Sequence, residues 1–331
     1  MPLPSPLTHP RSSAVFLALV AVWLLLTGSG HNPMGRNRSP SNMNYTTVPG
    51  YFAQDDPATD AATFDYTKHN FGLLDSSYNT SSASDAHLPP WQRFAKHMTT
   101  LANSSRESGT QYKMLYLGRH GEGYHNVGEA KYGTRAWDDY WSKLPGDGEL
   151  YWDDAHLTET GKAQALMNHA FLQEQFGARV GMPAPEAYFT SPLYRCLQTA
   201  QLTYGGLEVA EDRPFRPMVK ELMREVMGEH TCDRRSARSV IRDFAPEWRI
   251  EHGFSEEDVL WRADHRETWD EHDARTRQLL DDVFAHEGGL FLSFTSHSGA
   301  IASLLRVIGH VQYKVPTGGM MPVVIKATKE T

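Results

Sequence analysis

The chain has 331 residues, 40% of them hydrophobic, and a formal net charge of -8. That length holds one large domain or two small ones with a full core, and the acidic balance argues against nucleic acid as a partner, so basic clusters point to a discrete small anion. Two cysteines, Cys196 and Cys232, leave no disulfide framework and at most one bridge; a zinc site joining them to His230 lacks paired-ligand spacing, so no metal is expected.

The first 30 residues read as a targeting segment. His9 and Arg11 precede an unbroken apolar stretch from Ala14 to Thr27, and Gly28-Ser29-Gly30 offers small residues for cleavage. The stretch is short for a membrane span, so a cleaved signal peptide is expected. The alternative is a signal anchor through residues 14–27, and only then is a membrane a partner. N-glycosylation triplets at Asn37, Asn44, Asn79 and Asn103 all precede residue 110. Together these features predict a secreted glycoprotein, against the alternative of a Ser/Asn-rich tail with accidental triplets.

Residues 31–48 are polar and predict a flexible linker. Across 49–110, Tyr51, Phe52, Phe64, Tyr66 and Phe71 predict an arm that packs on the rest of the chain, ending in a helix from near Pro90 with Trp91, Phe94, Met98 and Leu101 on one face. The run Met114-Leu115-Tyr116-Leu117 predicts a buried strand that stops at Gly118 and delivers Arg119 and His120. Ligands of open α/β sheets bind beyond the carboxyl ends of strands, so this pair is a candidate site. Thr158 opens a helix that runs through Ala163, Leu166 and Ala170 to a stop near Gly177. The next strand covers residues 187–191, with Ser191 as helix N-cap, Pro192 in the first turn and Arg195 behind it.

Farther on, Glu221 and Glu225 lie between the second and third strand ends. Residues 229–275 form an insertion in which Arg234, Arg238 and Arg242 recur at four-residue spacing, which predicts one helical face. The plain reading is a solvated face; the sharper one has Arg234, Arg235 and Arg238 reach a second anionic group on a substrate. Residues 289–296 form a strand that ends at His297, where another helix begins. Residues 322–327 form a last strand, placed at a sheet edge by Pro322 and Lys326. The alternation predicts an α/β fold: a three-layer α/β/α sandwich with a mainly parallel central sheet, an N-terminal extension over 49–110, a catalytic domain over 111–331 and an inserted helical cap over about 229–275.

Three strand-to-helix switches thus each deliver a basic or imidazole group beside helix N-termini, which describes a receptor for a tetrahedral dianion. Lined up, the segments resemble the histidine phosphatase superfamily in its phosphoglycerate mutase-like branch. The resemblance rests on Arg119-His120-Gly121-Glu122 with Asn126, on Leu157-Thr158-x-x-Gly161-x-x-Gln164-Ala165, on Ser191-Pro192-x-x-Arg195-Cys196-x-Gln198-Thr199-Ala200, and on Ser296-His297-Ser298-Gly299. Acid phosphatases and phytases look like Arg-His-Gly-x-Arg with a later His-Asp; Glu122 and Ser298 occupy those two positions here, so the mutase-like branch fits better.

The resemblance implies that His120 is the nucleophile, that Arg119, Arg195 and His297 neutralise phosphoryl oxygens, and that Asn126 adds a neutral hydrogen bond. It accounts for both cysteines as buried thiols. Glu225 stands where the branch places its proton donor. Only three steps separate it from Gly228 instead of four, so Glu221 is the fallback, and a salt bridge from Glu225 to Arg224 or Arg195 is the plain alternative. No cofactor is implied, because the arginines neutralise charge that a divalent ion carries elsewhere. Hydrolysis of a small phosphomonoester ranks first, since the branch's mutases usually carry a serine where this chain has Gly123. Phosphoglycerate mutase-type transfer ranks second, and a non-catalytic phosphate-binding glycoprotein third.

Overall fold

The computed structural model describes residues 43–79, 85, 87–209 and 214–330; the targeting segment, residues 31–42 and the triplet at Asn37 lie outside the described residues. Strand β1 (Met43–Thr47) leads through an irregular arm to α1 (Pro90–Ser104), β2 (Gln111–Arg119), α2 (Tyr124–Tyr132), α3 (Thr134–Asp139), α4 (Glu159–Phe176) and β3 (Ala187–Thr190). Then come α5 (Tyr194–Tyr204), β4 (Met218–Val219), α6 (Arg238–Phe244), β5 (Arg249–Ile250), α7 (Trp269–His286), β6 (Phe291–Ser296), α8 (Ser298–Val307) and β7 (Met320–Lys329). The seven strands form one sheet in the order β1-β7-β2-β6-β3-β4-β5. All neighbours from β2 to β5 are parallel, whereas β7 runs antiparallel to both β2 and β1.

Period-two alternation along β2 builds the three layers. Leu115 and Leu117 enter a cluster with Leu279, Leu280 and Val283 of α7 and Leu304 and Leu305 of α8. Met114 and Tyr116 enter the opposite cluster, with Trp91, Phe94 and Met98 of α1 and Phe171 and Leu172 of α4. Because both faces are covered, the strand reads as an unbroken apolar run. Truncating Trp91 or Phe94, both without solvent exposure, costs about 3–5 kcal/mol.

The arm belongs to this second core. Phe52, Phe71 and Leu73 are buried in it, and the Tyr66 hydroxyl donates to Asn168 of α4. The expected linker is therefore shorter than 31–48, because Met43–Thr47 pairs residue by residue with Thr47↔Ile325 through Met43↔Lys329. Tyr45 anchors that strand: its ring packs on Phe284 and its hydroxyl donates to Asp281.

The last strand is accordingly not an edge. Val324 accepts from the Val48 amide, so even-numbered positions of β7 face β1 and Pro322 faces the same way, beyond the end of β1 at Thr47. Its missing N–H leaves no ladder bond unmade, which is how a proline sits in an interior strand. The helix expected from Thr158 to near Gly177 forms as α4, with Gly161, Ala165, Asn168 and Leu172 buried and Ala163, Leu166 and Ala170 turned outward. Two further expectations are corrected. The N-cap of α5 is Leu193, and the Ser191 hydroxyl is engaged elsewhere. The insertion is mostly irregular, contributing one two-turn helix, α6, the edge strand β5 and the opening turns of α7.

Candidate active site

Sheet register decides which side chains meet. Arg119 pairs with Ser296 and Thr190 with Thr295, so β2, β6 and β3 end level with one another. His120, Ser191 and His297 each come immediately after one of those ends. The His120 amide donates to the Ser296 carbonyl at 3.0 Å and the Ser191 amide to the Thr295 carbonyl at 3.0 Å. The loop after His120 is then tied down by the motif residues. Thr199 Oγ1 accepts from the Gly121 amide at 3.0 Å and Gln164 Oε1 from the Glu122 amide at 2.8 Å, while the N-cap hydroxyl of Thr158 donates to Glu122 Oε1 at 2.6 Å. Gly161 lies so close to this loop that a Cβ there would overlap the Glu122 backbone.

His120 is 2% exposed, and its Nδ1 lies 2.7 Å from the Gly121 carbonyl. A carbonyl only accepts, so Nδ1 carries the proton and Nε2 presents its lone pair, free of any hydrogen bond to the described residues. Burial, then Arg195 and Arg119, holds the imidazole well below its ordinary pKa of 6.5 and therefore neutral. The His297 ring lies 5.1 Å away, centroid to centroid, tilted by 61°. His297 Nε2 meets Ser191 Oγ at 2.7 Å and Cys196 Sγ at 3.3 Å, and burial, Arg195 and His120 keep this ring neutral too.

Arg195, 1% exposed, donates to the Cys232 carbonyl at 2.6 Å and to Asp233 Oδ1 at 2.9 Å; Asp233 Oδ2 accepts from Arg266 at 2.8 Å. Burial opposes the charge on Asp233, yet Arg266 and Arg195 hold its carboxyl below the ordinary range. Arg119 donates to the Val315 carbonyl at 3.2 Å. The Nε atoms of Arg119 and Arg195 are both sealed from water and have no partner. Buried charged donors without acceptors are costly, so both guanidinium groups are held in place at a price. Asn126 Oδ1 accepts from the Gly123 amide at 3.0 Å, which leaves its NH2 group as the part able to donate to an anion.

Glu225 sits at the N-terminus of α8. Its Oε2 accepts from the Gly299 amide at 3.0 Å and the Ser298 hydroxyl at 3.3 Å. Burial lowers the Arg119 guanidinium, and the charge of nearby Glu225 counters that effect. Its loop is clamped from behind: Arg275 donates to the carbonyls of Leu222, Arg224 and Glu225, and Arg266 to those of Val226 and Gly228. Neither salt bridge considered for Glu225 forms. Arg224 instead pairs with Asp258 and Glu221, and Arg195 with Asp233.

The structure thus brings together Arg119, His120, Arg195, Glu225 and His297. Glu221 is excluded from the cavity because Arg224 and Arg235 hold it. Arg235 is buried as that counter-ion, also donating to the carbonyls of Ser236, Ser255, Glu256 and Glu257, so it is not available to a substrate. Arg234 pairs with Asp153 and covers Trp261. It precedes α6, so the expected arginine face shrinks to Arg238 and Arg242, because the chain before Arg238 is drawn inward by Arg235. His230, Cys232 and Asp233 do place ligand atoms within 4.8 Å of one another, but both Asp233 oxygens are engaged by guanidinium groups and burial, then Asp233, pushes the Cys232 thiol up. That donor set does not fit a cation. Both thiols are free.

Sequence reasoning missed His125, Asp233, Arg266 and Arg275. Of these only His125 carried a local signal, since it stands one residue before Asn126.

Residues 149–317 match the histidine phosphatase superfamily (branch 1), a range that begins after the Arg119-His120 strand. Over 315 residues the chain is 48% identical to a probable phosphoglycerate mutase of Arthroderma benhamiae, covering 95% of this chain and 93% of that protein. It is 33% identical over 312 residues to phosphomutase-like protein 3 of Candida albicans, covering 94% and 86% respectively. Among solved structures it resembles a putative alpha-ribazole-5'-P phosphatase from Escherichia coli, with a TM-score of 0.39, 17% identity, and coverage of 64% of this chain and 90% of that one. A strand-end histidine between arginines on an α/β sandwich is the arrangement of an enzyme family that acts on small phosphorylated substrates. The chain belongs to the histidine phosphatase superfamily, in its branch 1.

Proposed function

We propose that the protein is a phosphomonoester hydrolase that works through a phosphohistidine on His120. The supporting observation is the fixed, neutral imidazole, with Nδ1–H on the Gly121 carbonyl and Nε2 free, beside two guanidinium groups whose Nε–H donors lack acceptors. Nε2 attacks phosphorus in line, the N–P bond forms, and the ester P–O bond breaks. Arg119, Arg195, His297 and the Asn126 amide hold the non-bridging oxygens. Glu225 gives a proton to the departing alkoxide; water then attacks the phosphohistidine, its proton passing to Glu225 and the electron pair of the P–N bond returning to His120.

The test is acid-labile, alkali-stable labelling of the enzyme by a phosphoryl-labelled substrate, with His120→Ala beside it. Labelled phosphoenzyme and phosphate release in the parent, both absent in the variant, are expected; unchanged turnover by the variant overturns the reading. The names of the fungal relatives favour a second reading, mutase-type phosphoryl transfer. Interconversion of phosphoglycerates without phosphate release would establish it. A phosphate-binding glycoprotein without activity is the outcome if neither product forms.

We also propose export. Asn44, Asn79 and Asn103 are all exposed, as glycan acceptors must be, and no helix among the described residues is long and apolar enough to cross a membrane. A deglycosylation-sensitive mobility shift of protein recovered from the medium is expected. Retention with the membrane fraction would support the anchor through residues 14–27 instead.

A further inference from the structure

The cavity holds a third imidazole that the mechanism above does not use. His125 lies in the first turn of α2, and its ring centroid is 5.2 Å from that of His120, about as near as His297. Arg195, His120 and Arg119 all act on it electrostatically, and it acts in turn on His297, so it shares their space. Its position depends on Gly123. A Cβ on residue 123 would stand 2.7 Å from His125 Nδ1 and 2.8 Å from Cε1, inside van der Waals contact, so the ring fills volume that any other side chain at 123 would claim. Nδ1 is sealed from water and has no partner. Nε2 makes no hydrogen bond to the described residues either. With no acceptor at Nδ1, the ring proton belongs on Nε2, the tautomer that donates toward a ligand.

The sealed Nδ1, with nothing to pair with, is a cost the free protein carries, while Nε2 on the part-exposed side of the ring is left open to a ligand. We propose that His125 contacts the substrate, its Nε2–H binding a non-bridging oxygen of the phosphoryl dianion in the space that Gly123 leaves open. This rests on the hydrolase reading. Burial, then Arg195 and His120, keeps the ring neutral, so it adds a donor without adding a third cation to a cavity already lined by Arg119 and Arg195. The pair Gly123 and His125 then works as one unit: the glycine is small so that the imidazole can reach the phosphoryl group.

The experiment compares His125→Ala, His125→Gln and Gly123→Ala with the parent, using inorganic phosphate binding by calorimetry and steady-state hydrolysis of p-nitrophenyl phosphate. His125→Ala should weaken phosphate binding and raise KM by about tenfold to a hundredfold, the loss of one hydrogen bond to a charged acceptor. His125→Gln, which keeps an N–H donor, should recover most of that, and Gly123→Ala should resemble His125→Ala because its methyl displaces the ring. Phosphate affinity and KM within about twofold of the parent in both His125 variants would overturn the proposal. Should the alanine variant fail to fold, the glutamine variant and Gly123→Ala decide alone: the proposal stands if glutamine binds phosphate and Gly123→Ala does not, and falls if both bind it equally. His120→Ala, assayed in parallel, separates the two levels. A dead His120 variant beside unchanged His125 variants removes only this proposal, whereas an active His120 variant removes the hydrolase reading itself.

Discussion

Asp233 is the buried counter-ion of Arg195 and Arg266, and Asp233→Asn isolates its charge. The side chain is 4% exposed, and its oxygens lie 2.9 Å from Arg195 Nη2 and 2.8 Å from Arg266 Nη1. Each contact is a unit-charge attraction of about 4 kcal/mol at the effective dielectric of a protein site. Removing the negative charge while leaving the Arg195 guanidinium buried beside the partly exposed Arg266 costs about 3–5 kcal/mol net, since a desolvated guanidinium cannot be neutralised by losing a proton. For a domain of this size that is a melting point lower by roughly 6–20 °C. A phosphate dianion beside Arg195 supplies negative charge of its own, so saturating inorganic phosphate should raise the melting point of the variant more than that of the parent. Calorimetric melts with and without phosphate, paired with kcat on an aryl phosphate, measure both effects. A variant that melts within about 2 °C of the parent and responds equally to phosphate would refute the idea that Asp233 balances these arginines.

Other outcomes follow from the same geometry. His120, His125 and His297 are all held well below 6.5 and His272 is pushed down to about 2, each chiefly by burial, so all four are neutral in the folded chain. The unfolded chain binds protons on them below 6.5. Stability should therefore be full above that pH and decline beneath it, by up to about 1.4 kcal/mol per pH unit for each histidine, which melts from pH 7.5 to 5 will show. For the same reason kcat/KM, corrected for substrate ionisation, should not fall through the ordinary imidazole range. His272 has no exposure and no partner at either nitrogen, so His272→Leu should raise the melting point. Glu225→Gln should lower kcat by about 10²–10⁴ while leaving the melting point near the parent's, and Glu221→Gln should do the reverse, since its role is to neutralise Arg224 and Arg235. Gly161→Ala should cost most of the activity, because its methyl must push the Glu122 backbone, and with it the His120 loop, out of place; a fully active variant would refute that contact.

What the sequence revealed was what depends on local pattern. The unbroken apolar run of β2 declared a strand covered on both faces, and the basic or imidazole group after each of three strands declared which side chains gather at the strand ends. What it hid depends on pairing across the chain. Pro322 pointed to an edge because nothing in residues 320–329 reveals that β1 flanks them, or that the proline falls just beyond its end. The spacing of Arg234, Arg238 and Arg242 imitated a helix face, yet Arg235 in their midst is committed to a buried carboxylate fourteen positions earlier. Choosing between Glu225 and Glu221 was open on spacing alone; Glu221 proves to be held by Arg224 and Arg235, two cations whose partners could not be read from order. Asp233 was invisible for the same reason.

The aromatic arm and β1 also set the limits within which this enzyme can be cut or fused. A shortened chain starting at Gln111 would retain every motif of the phosphate cavity. It would also strip Phe52, Phe71, Trp91 and Phe94 from beneath the sheet and leave the outward N–H and C=O groups of β7 bare along residues 325–329, a template for strand-to-strand assembly with neighbouring copies. Such a fragment should precipitate with its catalytic residues intact, so tags and partners belong ahead of Met43, not at the motif.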